Sequence, residues 1–183
     1  MDITDIIFDW GGVLTVGKHR AGIIRILEEK YRVKIKDKRH LFGSYMDNMD
    51  KIDRSEITFE QFVNHMNKQF GINLTPAEMM QVFKEAIIPN KPIIEIAKQL
   101  RKKYRVSMLS NNNEPTVSLL REFHREMLAP FEKIVFSCEV NLYKPQLEIY
   151  ELALSQLNAK PKNCVFIDDM AESLETAEKL EIN

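Results

Sequence analysis

Short apolar runs in this chain lead directly into polar side chains of a few chemically useful types. Ile7-Phe8 runs into Asp9, Met108-Leu109 into Ser110, and Phe166-Ile167 into Asp168-Asp169, while Lys144-Pro145 follows a further run. A lone Asp behind an apolar run is most often a helix cap. Polar groups at four such places in one alternating pattern point instead to a shared site. Carboxylates of Asp9 and Asp168 brought to one sheet edge would repel unless a cation lay between them, and hard oxygen ligands suit Mg²⁺. Ser110 adds a hydroxyl with nearby backbone N–H groups, and Lys144 adds a mobile positive charge. Metal, ammonium and donors together suit a tetrahedral dianion whose phosphorus is attacked by a carboxylate.

Other reactive residue types form no comparable set. His19, His40, His65 and His124 have no metal-ligand spacing and read as surface or partly buried side chains. Cys138 reads as a small buried residue, because no histidine follows a nucleophile pattern. Gly11-Gly12 is no dinucleotide fingerprint; it lets the backbone turn tightly beside Asp9.

The elements that must position these groups can be read from hydrophobic period. Residues 3–8, 105–109, 133–137 and 163–167 are short β-rich runs, apolar nearly throughout as in strands covered on both faces. Helical patterns occupy residues 93–103, 114–127, 145–157 and 171–180, with a helix starting at Lys144-Pro145. Strand and helix alternating in this way call for an α/β fold with a parallel sheet and right-handed crossovers, whose functional groups gather at the carboxyl ends of the strands. Residues 17–88 break the alternation. They hold apolar residues at helical spacing (Ile23, Ile26, Leu27; Phe59, Phe62, Val63, Met66), and Thr58-Phe59-Glu60-Gln61 and Thr75-Pro76-Ala77-Glu78 read as capping boxes. The reading is a core of residues 1–15 and 89–183 with a small all-helical cap, 16–88, inserted after the first strand.

Composition limits the partners. The 183 residues carry 26 basic and 27 acidic side chains for a net charge of −1, and 44% are apolar. That apolar content excludes disorder, and the charge balance argues against a nucleic-acid protein held by phosphate contacts. The basic clusters 34–39 and 101–105 read as solvated faces. No apolar run reaches the roughly 20 residues of a membrane span. The start Met1-Asp2-Ile3-Thr4-Asp5 is acidic where a secretory signal is basic, and two cysteines are too few for a disulfide scaffold, so a reduced cytoplasmic setting is expected.

Phe8-Asp9-Trp10-Gly11-Gly12-Val13-Leu14, Leu109-Ser110-Asn111, Lys144-Pro145 and Phe166-Ile167-Asp168-Asp169 resemble, in order, the four motifs of the haloacid dehalogenase-like hydrolase superfamily. The resemblance covers nearly the whole chain. It implies a Rossmann-like parallel sheet flanked by helices, with the helical cap of the first subfamily. By resemblance Asp9 is the nucleophile that forms an aspartyl-phosphate, and Ser110 and the Asn111 amide bind phosphoryl oxygens. Lys144 steadies nucleophile and phosphate, and Mg²⁺ is held by Asp9, the Gly11 carbonyl, Asp168 and, in support, Asp169. The substrate implied is a small phosphorylated metabolite, with specificity in the cap, where Trp10, Lys18, His19 and residues 42–49 face the site.

The chain departs from that pattern in two places. Most phosphatases of the superfamily carry an aspartate two residues after the nucleophile, as acid and base; Gly11 stands there. The metal contact survives because it uses a backbone carbonyl, but a positioned acid/base is commonly worth about 10²–10⁴-fold. The Ser110-Asn111-Asn112-Asn113 and Lys144-Pro145 stretches look most like the branch of bacterial sugar-phosphate phosphatases and the amino-terminal domain of soluble epoxide hydrolases. The second departure is at Glu181-Ile182-Asn183, where a fifth strand is expected to be absent or only begun. Three readings stand open: a Mg²⁺-dependent phosphatase slowed by Gly11, a metal-independent 2-haloacid dehalogenase using Arg20 or Arg25, and a non-catalytic relative. Monomer and dimer are equally compatible with the sequence.

Overall fold

The structure, a computed structural model, describes residues 2–33 and 38–183, with backbone alone over 38–42. Four strands form from the apolar runs: β1 (Asp5–Phe8), β2 (Arg105–Ser110), β3 (Lys133–Phe136) and β4 (Cys164–Ile167). All pair in parallel, in the order β3-β2-β1-β4. Period-two alternation splits their side chains between two cores. Ile6, Phe8, Val106 and Met108 belong to one buried cluster, and Ile7, Leu109, Val135 and Phe166 to the other. Asn183 begins one further parallel pairing, donating to Cys164 O at 3.1 Å and accepting from Phe166 N at 2.8 Å on the outer side of β4.

Between β1 and β2 the described residues hold no strand. They form α1 (His19–Tyr31), α2 (Lys38–Asp53), α3 (Phe59–Phe70) and α4 (Pro76–Ala86), followed by α5 (Lys91–Leu100). Both capping boxes close. Thr58 Oγ1 accepts the Gln61 N–H at 3.2 Å while Gln61 Oε1 accepts that of Thr58 at 2.9 Å, and Thr75 and Glu78 do the same. Ile23, Phe62, Met66 and Phe83 bury the inner faces of these helices in the same cluster as Ile6 and Phe8. The two connections run side by side: Val16 N donates to Ile88 O and Asn90 N to Leu14 O, both at 2.8 Å.

The remaining helices are α6 (Glu114–Phe123), α7 (Arg125–Leu128), α8 (Ser137–Val140), α9 (Leu147–Leu157) and α10 (Ala171–Lys179). Two expectations need correction. The helix expected over 114–127 is broken at His124, whose φ of −130° and ψ of 38° are not helical. Lys144-Pro145 does not begin a helix. Gln146 returns its N–H to Tyr143 O at 2.8 Å and accepts the Tyr143 N–H on its side chain at 3.0 Å. That closed turn delays α9 to Leu147. The basic cluster at 34–39 and the side chains of His40 and Phe42 lie outside the described residues. Among the described residues no helix is long and apolar enough to cross a membrane.

Candidate active site

Strand register brings the polar termini together. Phe8 pairs with both Met108 and Ile167, so Asp9 leaves β1 between Ser110 on one side and Asp168 on the other. Asp9 N donates to Ile167 O at 2.8 Å, which fixes its departure from the sheet. Side chains at the ends of parallel strands stand where backbone pairing has stopped, so their polar groups face the loops.

Lys144 occupies the centre of the group. Its Nζ lies 2.9 Å from Asp9 Oδ1 and 2.5 Å from Asp168 Oδ2, and the side chains of Lys144, Asp9 and Asp168 are all nearly closed to solvent. Burial pushes the Asp9 carboxyl above its ordinary range; the Lys144 ammonium pulls it back down, and the Asp168 charge pushes it up again. The Ser110 hydroxyl also favours the ionised form. The Lys144 backbone is gripped by one side chain: Asn111 Nδ2 donates to Lys144 O and Asn111 Oδ1 accepts the Lys144 N–H, both at 2.8 Å. The Asn111 side chain is therefore occupied with Lys144.

The two glycines of the first loop differ. Gly11 lies outside the left-handed region, and a Cβ there would have only Asp9 Oδ2, at 4.0 Å, within reach. Gly12 has φ +78°, and a Cβ would stand 2.6 Å from Asp169 Oδ2. Close approach to Asp169, together with the positive φ, requires glycine at position 12. Asp169 is also paired with Lys18 at 3.1 Å. Carboxylate oxygens of Asp9, Asp168 and Asp169 all lie within 4.8 Å of one another. The ammonium groups of Lys144 and Lys18 leave three carboxylates at that spacing short of one positive charge, and the donor set is all hard oxygen, so the residues fit a small divalent cation.

A cavity of about 360 Å³ opens beside Asp9, Ser110 and Lys144, with Trp10, His19, Met46, Met49, Arg54 and Tyr143 in its wall. The residues expected to face the site thus reach it in part. Trp10 is only 2% exposed, and its Nε1 is closed to solvent without a hydrogen-bond partner. It forms wall rather than an open donor. His19, expected at or near the surface, is buried. Its Nε2 donates to Phe83 O at 2.9 Å and its ring packs edge-on to Trp10; burial lowers its pKa to about 4, so it is neutral near pH 7. His65 is an exposed partner of Asn48, and Cys138 is half-buried with its thiol pushed up to about 11.

Sequence reasoning passed over a polar network beside the site, centred on Asp53. Arg20 reaches Asp50 at 2.8 Å and Asp53 at 2.5 Å; Asp53 accepts from Asn113 Nδ2 at 2.6 Å, and Ser137 Oγ donates to Asp53 O at 3.3 Å. The capping pattern Asn113-x-x-Thr116 was the one local signal available. Arg25 pairs with Glu29 on the surface.

A family model for haloacid dehalogenase-like hydrolases matches residues 5–180. The chain is 28% identical over 190 residues to bifunctional epoxide hydrolase 2 of Rattus norvegicus, covering 93% of this chain but 34% of that enzyme. Across the first three such relatives the chain spans 34–35% of their length. It is 26% identical over 176 residues to the sesquiterpene phosphatase astK of Aspergillus oryzae, covering 94% of this chain and 83% of that protein. A HAD family enzyme of Bacteroides thetaiotaomicron overlays with a TM-score of 0.82 at 22% identity, over 100% of this chain and 92% of that one. The likeness to that structure establishes the shared α/β fold. From the family match across residues 5–180, the chain belongs to the haloacid dehalogenase-like hydrolases.

Proposed function

We propose that the chain is a Mg²⁺-dependent phosphatase of small phosphorylated metabolites, acting through an aspartyl-phosphate on Asp9. The observation that carries the reading is the Lys144 ammonium set between the buried carboxylates of Asp9 and Asp168. This pairing favours the ionised form of a desolvated carboxylate and leaves a positive charge where a phosphoryl group would lie. The likeness to astK supports the reaction class. A structure of the Bacteroides enzyme in complex with magnesium and inorganic phosphate, with TM-score 0.72 at 20% identity, supports the metal.

In this reading an Asp9 oxygen attacks phosphorus and the bond to the leaving oxygen breaks; water then cleaves the acyl phosphate and frees Asp9. Ser110 Oγ and the Asn111 N–H bind phosphoryl oxygens, and Lys144 stabilises both nucleophile and phosphate. Asp9, Asp168 and the Gly11 carbonyl would hold Mg²⁺, with Asp169 in support. Bound there, the ion supplies charge neutralisation for the phosphoryl oxygens. Trp10 forms the wall beside the leaving group. Gly11 offers no proton to the departing oxygen, and neutral His19 has its Nε2–H committed to Phe83 O. Departure then relies on water or on a leaving group acidic enough to go unaided.

Residues 16–88 would act as a cap over a core of 1–15 and 89–183, a division supported by the paired connections at Val16–Ile88 and Leu14–Asn90. Two free cysteines fit a reducing cytoplasm. Arg20 counts against the dehalogenase reading, because Asp50 and Asp53 already occupy the guanidinium that a haloacid carboxylate would need. Mg²⁺-dependent release of p-nitrophenol from p-nitrophenyl phosphate, abolished in Asp9→Asn, is the expected result. Wild-type protein that releases no phosphate from this ester or from acyl phosphates would overturn the reading.

A further inference from the structure

Asp53 stands at the end of α2, among the helices between β1 and β2, yet the residue is 6% exposed and its carboxylate meets groups from both parts of the fold. Oδ2 accepts from Arg20 Nη2 of α1 at 2.5 Å, and Oδ1 accepts from Asn113 Nδ2 at 2.6 Å. Both oxygens are acceptors in these bonds, which is the pattern of an ionised carboxylate. Asn113 uses its other atom on the core: Oδ1 accepts the Thr116 N–H at 2.9 Å and the Thr116 hydroxyl at 2.8 Å, capping α6. One residue earlier, Asn112 N donates to Ser137 Oγ at 2.9 Å and Asn112 Nδ2 donates to Ser110 Oγ at 3.1 Å. Ser137 Oγ in turn touches Asp53 O at 3.3 Å. Ser110, Asn112, Asn113 and Ser137 are each at most 3% exposed, so water does not compete for these bonds.

We infer that Asp53 is a positioning residue: through Asn113 it holds the Ser110–Asn113 loop in the geometry that presents the Ser110 hydroxyl and the Asn111 N–H beside Asp9. This rests on the phosphatase reading for its consequence in turnover, although the hydrogen-bonded link itself does not. The polarity of the link is fixed. Asn113 must aim its amide nitrogen at Asp53, because its oxygen is committed to Thr116. An amide in place of the Asp53 carboxylate would set two amide nitrogens face to face, or force Asn113 to flip and release its cap. A carboxylate in place of the Asn113 amide would set two carboxylates 2.6 Å apart. Exchanging the two side chains restores one donor and one acceptor. The amide nitrogen introduced on α2 would then donate to the carboxylate introduced on the loop, whose second oxygen would still cap α6. Arg20 keeps its Asp50 partner throughout.

The test is the cycle of Asp53→Asn, Asn113→Asp and the double exchange in the full chain, read in two ways. Amide hydrogen exchange of residues 110–116 and of Thr116 in particular is expected to accelerate at least tenfold in each single variant and to return toward wild type in the double. Turnover of p-nitrophenyl phosphate is expected to lose at least tenfold in kcat in the single variants, with little change in KM, and to recover in the double. Thermal melting corrects each rate for the fraction folded. Unchanged loop exchange in both single variants, or a double variant as impaired as the worse single one, overturns the inference. So does a fall in activity that tracks the folded fraction alone. A wild-type protein without turnover would count against the phosphatase reading, and the exchange measurements would still decide the role of Asp53.

Discussion

Restoring a carboxylate at position 11 is the sharpest perturbation the site allows. Gly11 is outside the left-handed region and an added Cβ meets only Asp9 Oδ2 at 4.0 Å, so the backbone and Cβ of Gly11→Asp fit the loop and the variant's cost in stability is that of its charge. The new carboxyl would sit near a buried carboxylate. At a separation of about 5 Å and an effective dielectric of about 20, the repulsion is about 3 kcal/mol, or about 2 pKa units. Its pKa would rise from about 4 to about 6, close to what a general acid needs near neutrality. Turnover of alkyl phosphates, whose alkoxides leave poorly, should then rise by about 10²-fold or more, while esters of acidic phenols gain little. The assay is a series of aryl and alkyl phosphates with wild type and Gly11→Asp, folding being checked by thermal melting. Wild type should depend steeply on leaving-group acidity and the variant much less. Equal wild-type rates across the series, with chemistry shown to be rate-limiting, would refute the reasoning, as would a folded variant with no gain on alkyl phosphates.

Lys144→Met should cut turnover by about 10³-fold and move the acid limb of the pH–rate profile upward, because the ammonium that pulls the Asp9 carboxyl down is gone; an unmoved limb in steady-state assays would contradict that role. Gly12→Ala, with φ +78° and Cβ 2.6 Å from Asp169, should cost about 1–3 kcal/mol in thermal melting and weaken Mg²⁺ binding by calorimetry. His19 has its pKa lowered from 6.5 to about 4, so the unfolded chain binds the extra proton and stability falls as pH drops through that window. Wild type should lose about 3 kcal/mol more than His19→Phe between pH 6.5 and 4, read as the difference in their unfolding free energies; parallel curves would sink the claim. Burial raises the Asp9 pKa above 3.8, so ionising Asp9 costs stability that grows as pH rises. Asp9→Asn should therefore melt higher than wild type near pH 7, with the gain fading toward pH 4.

The parts of this fold that were legible in the sequence are those set by local physics. Strands buried on both faces are apolar at nearly every position, so Ile6-Ile7-Phe8 and Val106 with Met108-Leu109 declare themselves without reference to distant residues. Thr58 with Gln61 and Thr75 with Glu78 close their boxes within one turn, so spacing alone locates two helix starts. The motif residues were legible because chemistry restricts which side chains can follow those strands. Lys144-Pro145 misled because Pro at a first helical position is a sound local rule. The Gln146 side chain, which holds the Tyr143 N–H, overrides it. Nothing local announces Arg20–Asp53–Asn113, whose members are 33 and 60 positions apart and meet only in the folded chain.

Gly11-Gly12 is the most instructive case, because two identical residues answer to different demands. Sequence offers no way to divide them, since glycine leaves φ unspecified. In the fold, Gly12 alone carries the positive φ and the close approach to Asp169, so the turn beside Asp9 is satisfied by that one residue. Gly11 is under no such constraint: its φ lies outside the left-handed region, and a Cβ there would meet only Asp9 Oδ2, at 4.0 Å. Neither the backbone conformation nor the Cβ contact therefore requires glycine at position 11. In the phosphatase reading proposed above, position 11 then offers the leaving oxygen no proton. On that reading the expected consequence is in substrate choice, favouring leaving groups that depart without a proton, rather than in the integrity of the site.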